Sequence, residues 1–231
     1  MIKQRSEYKE QAKKMMDQKY GTVIPVLLIF GLISGAVNGA IERTTGKFDW
    51  KTFQQVSEGY PLATSILNLV SLIITAIVAY AMVKMFIAIT SEKTVKVEDV
   101  VLSGFTDNFI RNVVLQFLIN LFVTLWTLLF IIPGIVKSYA YSMSFYLINK
   151  SKDLGAVEAI DQSKKMTKGY KADLFFLDLS YLGWYILGLF TLGILWLWIV
   201  PKHQTARVLY FNEIFEKFHP VKKDPEMSLE S

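Results

Sequence analysis

The chain has 231 residues, 52% of them hydrophobic, and a formal charge of +5. Its mean hydropathy is positive, which leaves too little polar surface to coat a soluble domain of this length. It has no cysteine, which excludes a disulfide framework, a Cys zinc site and a thiol nucleophile.

The apolar residues come in long blocks, the pattern of membrane spans. Lys and Arg sit between the blocks. They read as topology signals and contacts to anionic lipid headgroups, not as ligands for nucleic acid. The expected organisation is a leader over residues 1–20, one integral membrane domain over 21–217 and a polar tail over 218–231.

In the leader, Tyr8, Ala12, Met15, Met16 and Tyr20 fall at helical spacing, with Lys9, Lys13, Lys14 and Lys19 on the other faces. A helix lying on the cytoplasmic surface and a solvated leader helix both fit. The leader is too long and polar for a cleavable signal peptide, so the first apolar run reads as a retained span. That span, 22–41, carries Gly31, Gly35 and Gly39 at four-residue spacing. Such a face suits close packing inside the bundle or self-association. The polar segment 42–61 follows, with Trp50, Phe53 and Tyr60 as interface anchors. The second span covers 63–89, and Lys84 near its end is placed to reach the interface.

After a partly amphipathic segment with Val95, Val97, Val100 and Val101 comes a third span, 109–132. Pro133-Gly134 then separates it from a fourth, 135–149. One helix through both runs would be about 60 Å long, twice the roughly 30 Å of hydrocarbon, so the chain must turn near the proline. In 150–171, Leu154, Val157, Ile160 and Met166 mark one helical face, while Lys164, Lys165, Lys168 and Lys171 cluster. An interfacial helix on anionic headgroups and a solvated connector both fit. The fifth span covers 172–200, and the weakest, 202–216, completes six spans in three hairpins. An even count places both termini in the cytoplasm, with eighteen Lys and Arg on inner segments and six on outer ones. The expected fold class is all-α, a polytopic helix bundle with interfacial helices.

The two proline hairpins match at Leu121/Leu189, Phe122/Phe190, Leu129/Leu197, Ile131/Ile199 and Pro133/Pro201. Each follows a segment with a Val-Glu pair (Val97-Glu98, Val157-Glu158) and a Ser five residues later (Ser103, Ser163). A loose internal repeat is the reading. The stretch Ile132-Pro133-Gly134, Gly155-Ala156 to Ile160 and Ser163, Gly169-Tyr170-Lys171, Leu179-Ser180, Gly183-Trp184, Leu197-Trp198, and Pro201 with Thr205, Ala206 and Tyr210 resembles the domain-of-unknown-function 975 family. The resemblance is good over Ile132 to Phe215 and loose in the first half. It implies a multi-pass membrane protein, mostly of Gram-positive bacteria, with no established activity. The family is distantly similar to membrane domains beside glycerophosphodiester phosphodiesterases, whose catalytic module is not visible here.

His203 and His219 belong to no ligand or triad pattern, so neither a metal site nor a cofactor is expected. No Gly-rich phosphate loop is present. Ionisable residues inside spans are the site candidates: Asp178, Arg207 and Glu213. Asp178 suits a cation or a basic headgroup, or an inner-interface partner such as Arg111. Arg207 suits a phosphate or carboxylate clamp, or an outer-interface position near lipid phosphate. Asn38, Asn68 and Asn120 are expected to bridge helices. The expected function is non-enzymatic: an accessory, membrane-organising, stress or immunity-type component of the bacterial plasma membrane. The alternatives are a small transporter or channel-like subunit and, third, a lipid-modifying enzyme.

Overall fold

The computed structural model of the chain describes residues 4–44, 48–49, 54–55, 60–151 and 153–219. Trp50, Phe53 and nearly all of the 218–231 tail lie outside them. The described residues form ten helices and one two-residue ladder, in which Phe48–Asp49 (β1) pairs antiparallel with Gln54–Gln55 (β2).

The helices are α1 (Arg5–Met16), α2 (Tyr20–Thr44), α3 (Pro61–Thr90), α4 (Val97–Thr106), α5 (Phe109–Leu129), α6 (Ile131–Tyr141), α7 (Ser144–Lys150), α8 (Ala156–Met166), α9 (Lys171–Phe190) and α10 (Trp196–Phe218). Four of them, α2, α3, α5 and α9, are long and apolar enough to cross a membrane. The expected count was six. The 135–149 segment is two short helices, and α6 at 11 residues reaches only about 16 Å. The 172–200 segment is interrupted between α9 and α10. The 202–216 segment lies within α10, which is too polar to meet the same standard.

Three turns gather at one end of the bundle. The Tyr60 N–H donates to Thr44 O at 2.8 Å and ties the end of α2 to the start of α3. The α5–α6 turn falls at Phe130, whose backbone is extended (φ −157°, ψ 137°). The break therefore precedes the Pro-Gly pair. Pro133 sits in the first turn of α6, where a missing N–H leaves no helical bond unmade. At Gly134 α6 lies close against α5: a Cβ there would lie 2.8 Å from Thr127 Cα. The α9–α10 turn uses Leu192 (φ 53°) and Gly193 (φ 86°), and Pro201 lies more than a turn inside α10. The two prolines thus hold different positions, and the repeat is one of element order. An amphipathic helix precedes a hairpin in α4–α5–α6 and in α8–α9–α10. Val97-Glu98 opens α4, Val157-Glu158 lies in the first turn of α8, and Ser103 and Ser163 are both buried.

The amphipathic helices occupy the opposite end. α1 buries Tyr8, Ala12 and Met16, as the spacing predicts, but it does so against α10. The Tyr8 ring meets Tyr210 edge-on at 5.4 Å. α4 lies on α3 so closely that a Cβ on Gly104 would come 2.8 Å from Ile77 O. α8 buries Ala159, Ile160, Ser163 and Met166, while Val157 faces out. Lys84 pairs with Asp107 at the end of α4, and Tyr80 also donates to Asp107, at 3.2 Å. A Cβ added to Gly31, Gly35 or Gly39 would meet nothing within 4 Å among the described residues, so no other described helix is packed closely against these positions. Asn38 and Asn68 are exposed, and Asn120 accepts from Gln116 one turn back on α5. None of the three bridges helices among the described residues.

Two expectations follow. Gly134→Val forces α5 and α6 apart and lowers the thermal midpoint in detergent, at a cost of at least about 1–3 kcal/mol. Burial alone would raise the Asp107 carboxyl, but the hydrogen bond and charge of Lys84, with Tyr80 and Thr106, outweigh it and hold the group below its ordinary range. Its contribution to stability is therefore complete above that range and is lost as pH falls through the lowered value. Asp107→Asn removes this part of the acid sensitivity, read as a flatter plot of thermal midpoint against pH below neutrality.

Candidate functional site

α10 places His203 and Arg207 one turn apart, on the face turned to α9. Asp178 of α9 lies opposite. His203 Nε2 is 2.7 Å from Asp178 Oδ1, and Arg207 Nε is 3.7 Å from the same oxygen. Asp178 Oδ2 accepts from the Tyr139 hydroxyl of α6 at 3.0 Å. Both carboxylate oxygens are thus taken, by groups from two other helices. The Tyr185 hydroxyl lies 2.9 Å from His203 Nδ1, and the Tyr181 ring stacks on the imidazole at 4.6 Å.

A carboxylate only accepts, so His203 Nε2 carries the hydrogen in its bond to Asp178. Tyr185 then donates to Nδ1 when the ring is neutral and accepts when it is a cation. Either way both ring nitrogens are engaged. His203 is only 7% exposed. Arg207 Nε is buried and makes no hydrogen bond among the described residues, so its tie to Asp178 is a charge contact. A buried carboxylate needs such partners, because an unpaired charge away from water is strongly destabilising.

The sequence singled out Asp178 and Arg207 separately, and the structure brings them together. Arg111 donates to Leu154 O at 3.3 Å and is not the partner of Asp178. The Arg207 side chain is 22% exposed, beside Asp178. Glu213 is elsewhere on α10, accepting a short hydrogen bond from the Tyr8 hydroxyl. Sequence patterns do not single out Tyr139 or Tyr185, and they set His203 aside because it belongs to no ligand or triad pattern. The available signal was the four-residue spacing of His203 and Arg207, which sets them on one helical face.

Among the described residues no group of three or more His, Cys, Asp or Glu is placed to hold a metal ion. Of the headgroup candidates, Lys164 pairs with Asp161 at 2.9 Å and lies near the Tyr141 and Phe122 rings. Lys165 and Lys168 are exposed and Lys171 is half-buried. At the same end of the bundle an open groove of about 740 Å³ is lined by Thr106, Asn108, Phe109, Ile110, Arg111, Val114 and Ala156.

If the Asp178 cluster holds α6, α9 and α10 together, Asp178→Ala should be far more damaging than Tyr139→Phe. Removing one member of a buried ion pair costs about 3–5 kcal/mol, against about 1 kcal/mol for one neutral hydrogen bond. Thermal melts of both variants in the same detergent measure the ordering.

The family model described as Protein of unknown function (DUF975) matches residues 1–137 and 127–217. No curated protein and no solved structure matches the chain. The two matched stretches take in the first half, where the resemblance read from single motifs was loose, as well as both later hairpins and the polar cluster. The chain belongs to the DUF975 family of proteins of unknown function.

Proposed function

We propose that this is a non-enzymatic integral protein of a bacterial cell membrane, an accessory component of membrane-organising, stress or immunity type, with its amphipathic helices and both termini on the cytoplasmic side. The observation that carries this reading is the closed state of its ionisable cluster. Both Asp178 oxygens and both His203 nitrogens have partners within the protein, and the hydroxyl that meets His203 is that of a tyrosine, not of the Ser, Thr or Cys that a base commonly activates as a nucleophile. Groups tied in this way across α6, α9 and α10 work as a fastening between helices.

The surface supports the same reading. Lys165, Lys168 and Lys171 lie at the end of the bundle that holds the groove beside Arg111. Anionic headgroups are the natural occupants of such a face, since each Lys or Arg near an anionic surface contributes about 1 kcal/mol. The open Gly31, Gly35 and Gly39 face offers room for close contact with a neighbouring helix from a protein partner or a second copy.

The purified protein is expected to melt at a higher temperature in bicelles containing phosphatidylglycerol than in purely zwitterionic ones. The combined Lys165→Gln, Lys168→Gln and Lys171→Gln variant should lose most of that gain. Turnover of a phospholipid or phosphodiester by the pure protein would overturn the proposal. So would solute flux in liposomes that disappears in Asp178→Ala while the variant stays folded.

A further inference from the structure

The α9–α10 turn turns its apolar side chains outward. Phe190 is 82% and Leu192 93% exposed, and Leu189 and Ile194 are 61% exposed. No charged residue occurs between Asp178 and Lys202. A turn emerging into water normally carries Asn, Asp, Ser or charged residues, and this one carries none.

Its backbone is as unusual as its side chains. Every N–H from Thr191 to Ile199 donates within the protein. Gly193 N–H reaches back to Gly188 O at 2.9 Å and Leu192 N–H to Leu189 O at 3.2 Å, the paired bonds of a Schellman motif. Leu192 is the left-handed residue that this motif requires. Leu195 N–H, which the turn would otherwise strand, donates to Thr191 Oγ1 at 3.2 Å. Donors from Trp196 to Ile199 find carbonyls between Gly193 and Leu195. The Trp196 indole folds back over Gly188, where any side chain would collide with it. There its Nε1–H donates to Tyr185 O at 3.1 Å. A tryptophan at a membrane surface ordinarily turns that group to water or headgroups.

Irregular backbone facing lipid is excluded from hydrocarbon because its N–H and C=O groups go unmatched. This turn has no N–H to expose, and of its carbonyls from Gly188 to Leu195 all but those of Phe190 and Leu192 accept a hydrogen bond. We propose that the α9–α10 tip ends inside the hydrocarbon of the far leaflet, with acyl chains as its contact, and never reaches the outer aqueous phase. The inference rests on the membrane reading above. The α5–α6 tip presents a similar surface in Leu128, Phe130 and Ile132, all strongly exposed. Its Pro133 removes one of the donors that a helix start would leave open.

The native chain has no cysteine, so single-cysteine variants report cleanly. Leu192→Cys and Tyr60→Cys are compared in sealed vesicles with a membrane-impermeant maleimide added to either face. Tyr60→Cys, at the α2–α3 turn of the same end, should label from one face. Leu192→Cys should react more than about tenfold slower from both faces, because a thiolate does not form away from water. It should label fully after detergent denaturation. Leu192→Lys should lower the amount of protein recovered in membranes, whereas Leu192→Met should not. Labelling of Leu192→Cys from the Tyr60 face at the Tyr60→Cys rate would overturn the inference while leaving the membrane reading intact. Efficient disulfide-linked dimers of Leu192→Cys would overturn it too, by showing protein instead of lipid over the tip. Release of the parent protein by an alkaline wash would sink the membrane reading itself, and this inference with it.

Discussion

The structure depends on satisfying one polar helix in the middle of an apolar protein. α10 carries His203, Arg207, Tyr210, Asn212 and Glu213, and almost every one of them finds its partner on a different element. His203 and Arg207 meet Asp178 of α9. Tyr210 donates to Tyr170 O ahead of α9, at 3.2 Å. Asn212 accepts from Tyr146 of α7 at 2.6 Å and donates to Thr90 of α3 at 3.3 Å. Glu213 accepts from Tyr8 of α1. Hydrophobic burial brings helices together without choosing a register, whereas donors and acceptors must be aligned to be satisfied. The polar groups of α10 therefore decide how five other segments sit.

The same chemistry divides the molecule along its axis. The half that holds the amphipathic helices is polar inside and basic outside, and its buried groups include Ser103, Asn112, Ser144 and Ser163. The half that holds the last two turns is packed with Leu, Ile, Phe and Trp and turns them outward. In water that distribution would drive aggregation. In a bilayer it sets depth, because charged groups are held at one surface while the apolar tips have no reason to leave the hydrocarbon.

Much of this was legible in the sequence, for physical reasons that also mark where legibility stops. The α1 face of Tyr8, Ala12 and Met16 reads directly from helical spacing. The long apolar blocks of α2, α3, α5 and α9 read from length and composition. The turn at Phe130 does not, because proline marks the first turn of a helix as readily as a break, and only the backbone shows which. The role of α10 was hidden for a deeper reason. Hydropathy measures the cost of facing lipid, and a helix sheathed by other helices escapes that cost. Its low apolarity reflects the polar partners it finds on the helices around it. The pairing of Asp178 with His203 and Arg207 was hidden as well, since the register between α9 and α10 follows from a turn of irregular backbone.

The contact between Tyr8 and Glu213 joins residues 205 positions apart, and that separation bears on how the molecule is assembled. During synthesis α1 leaves the ribosome long before α10 exists. Until then the inward face of α1 has only solvent, lipid or a chaperone to meet. The earlier hairpins enter the bilayer with no central pillar to hold them. Completion of the bundle is thus an act of closure, in which a late helix receives a much earlier one.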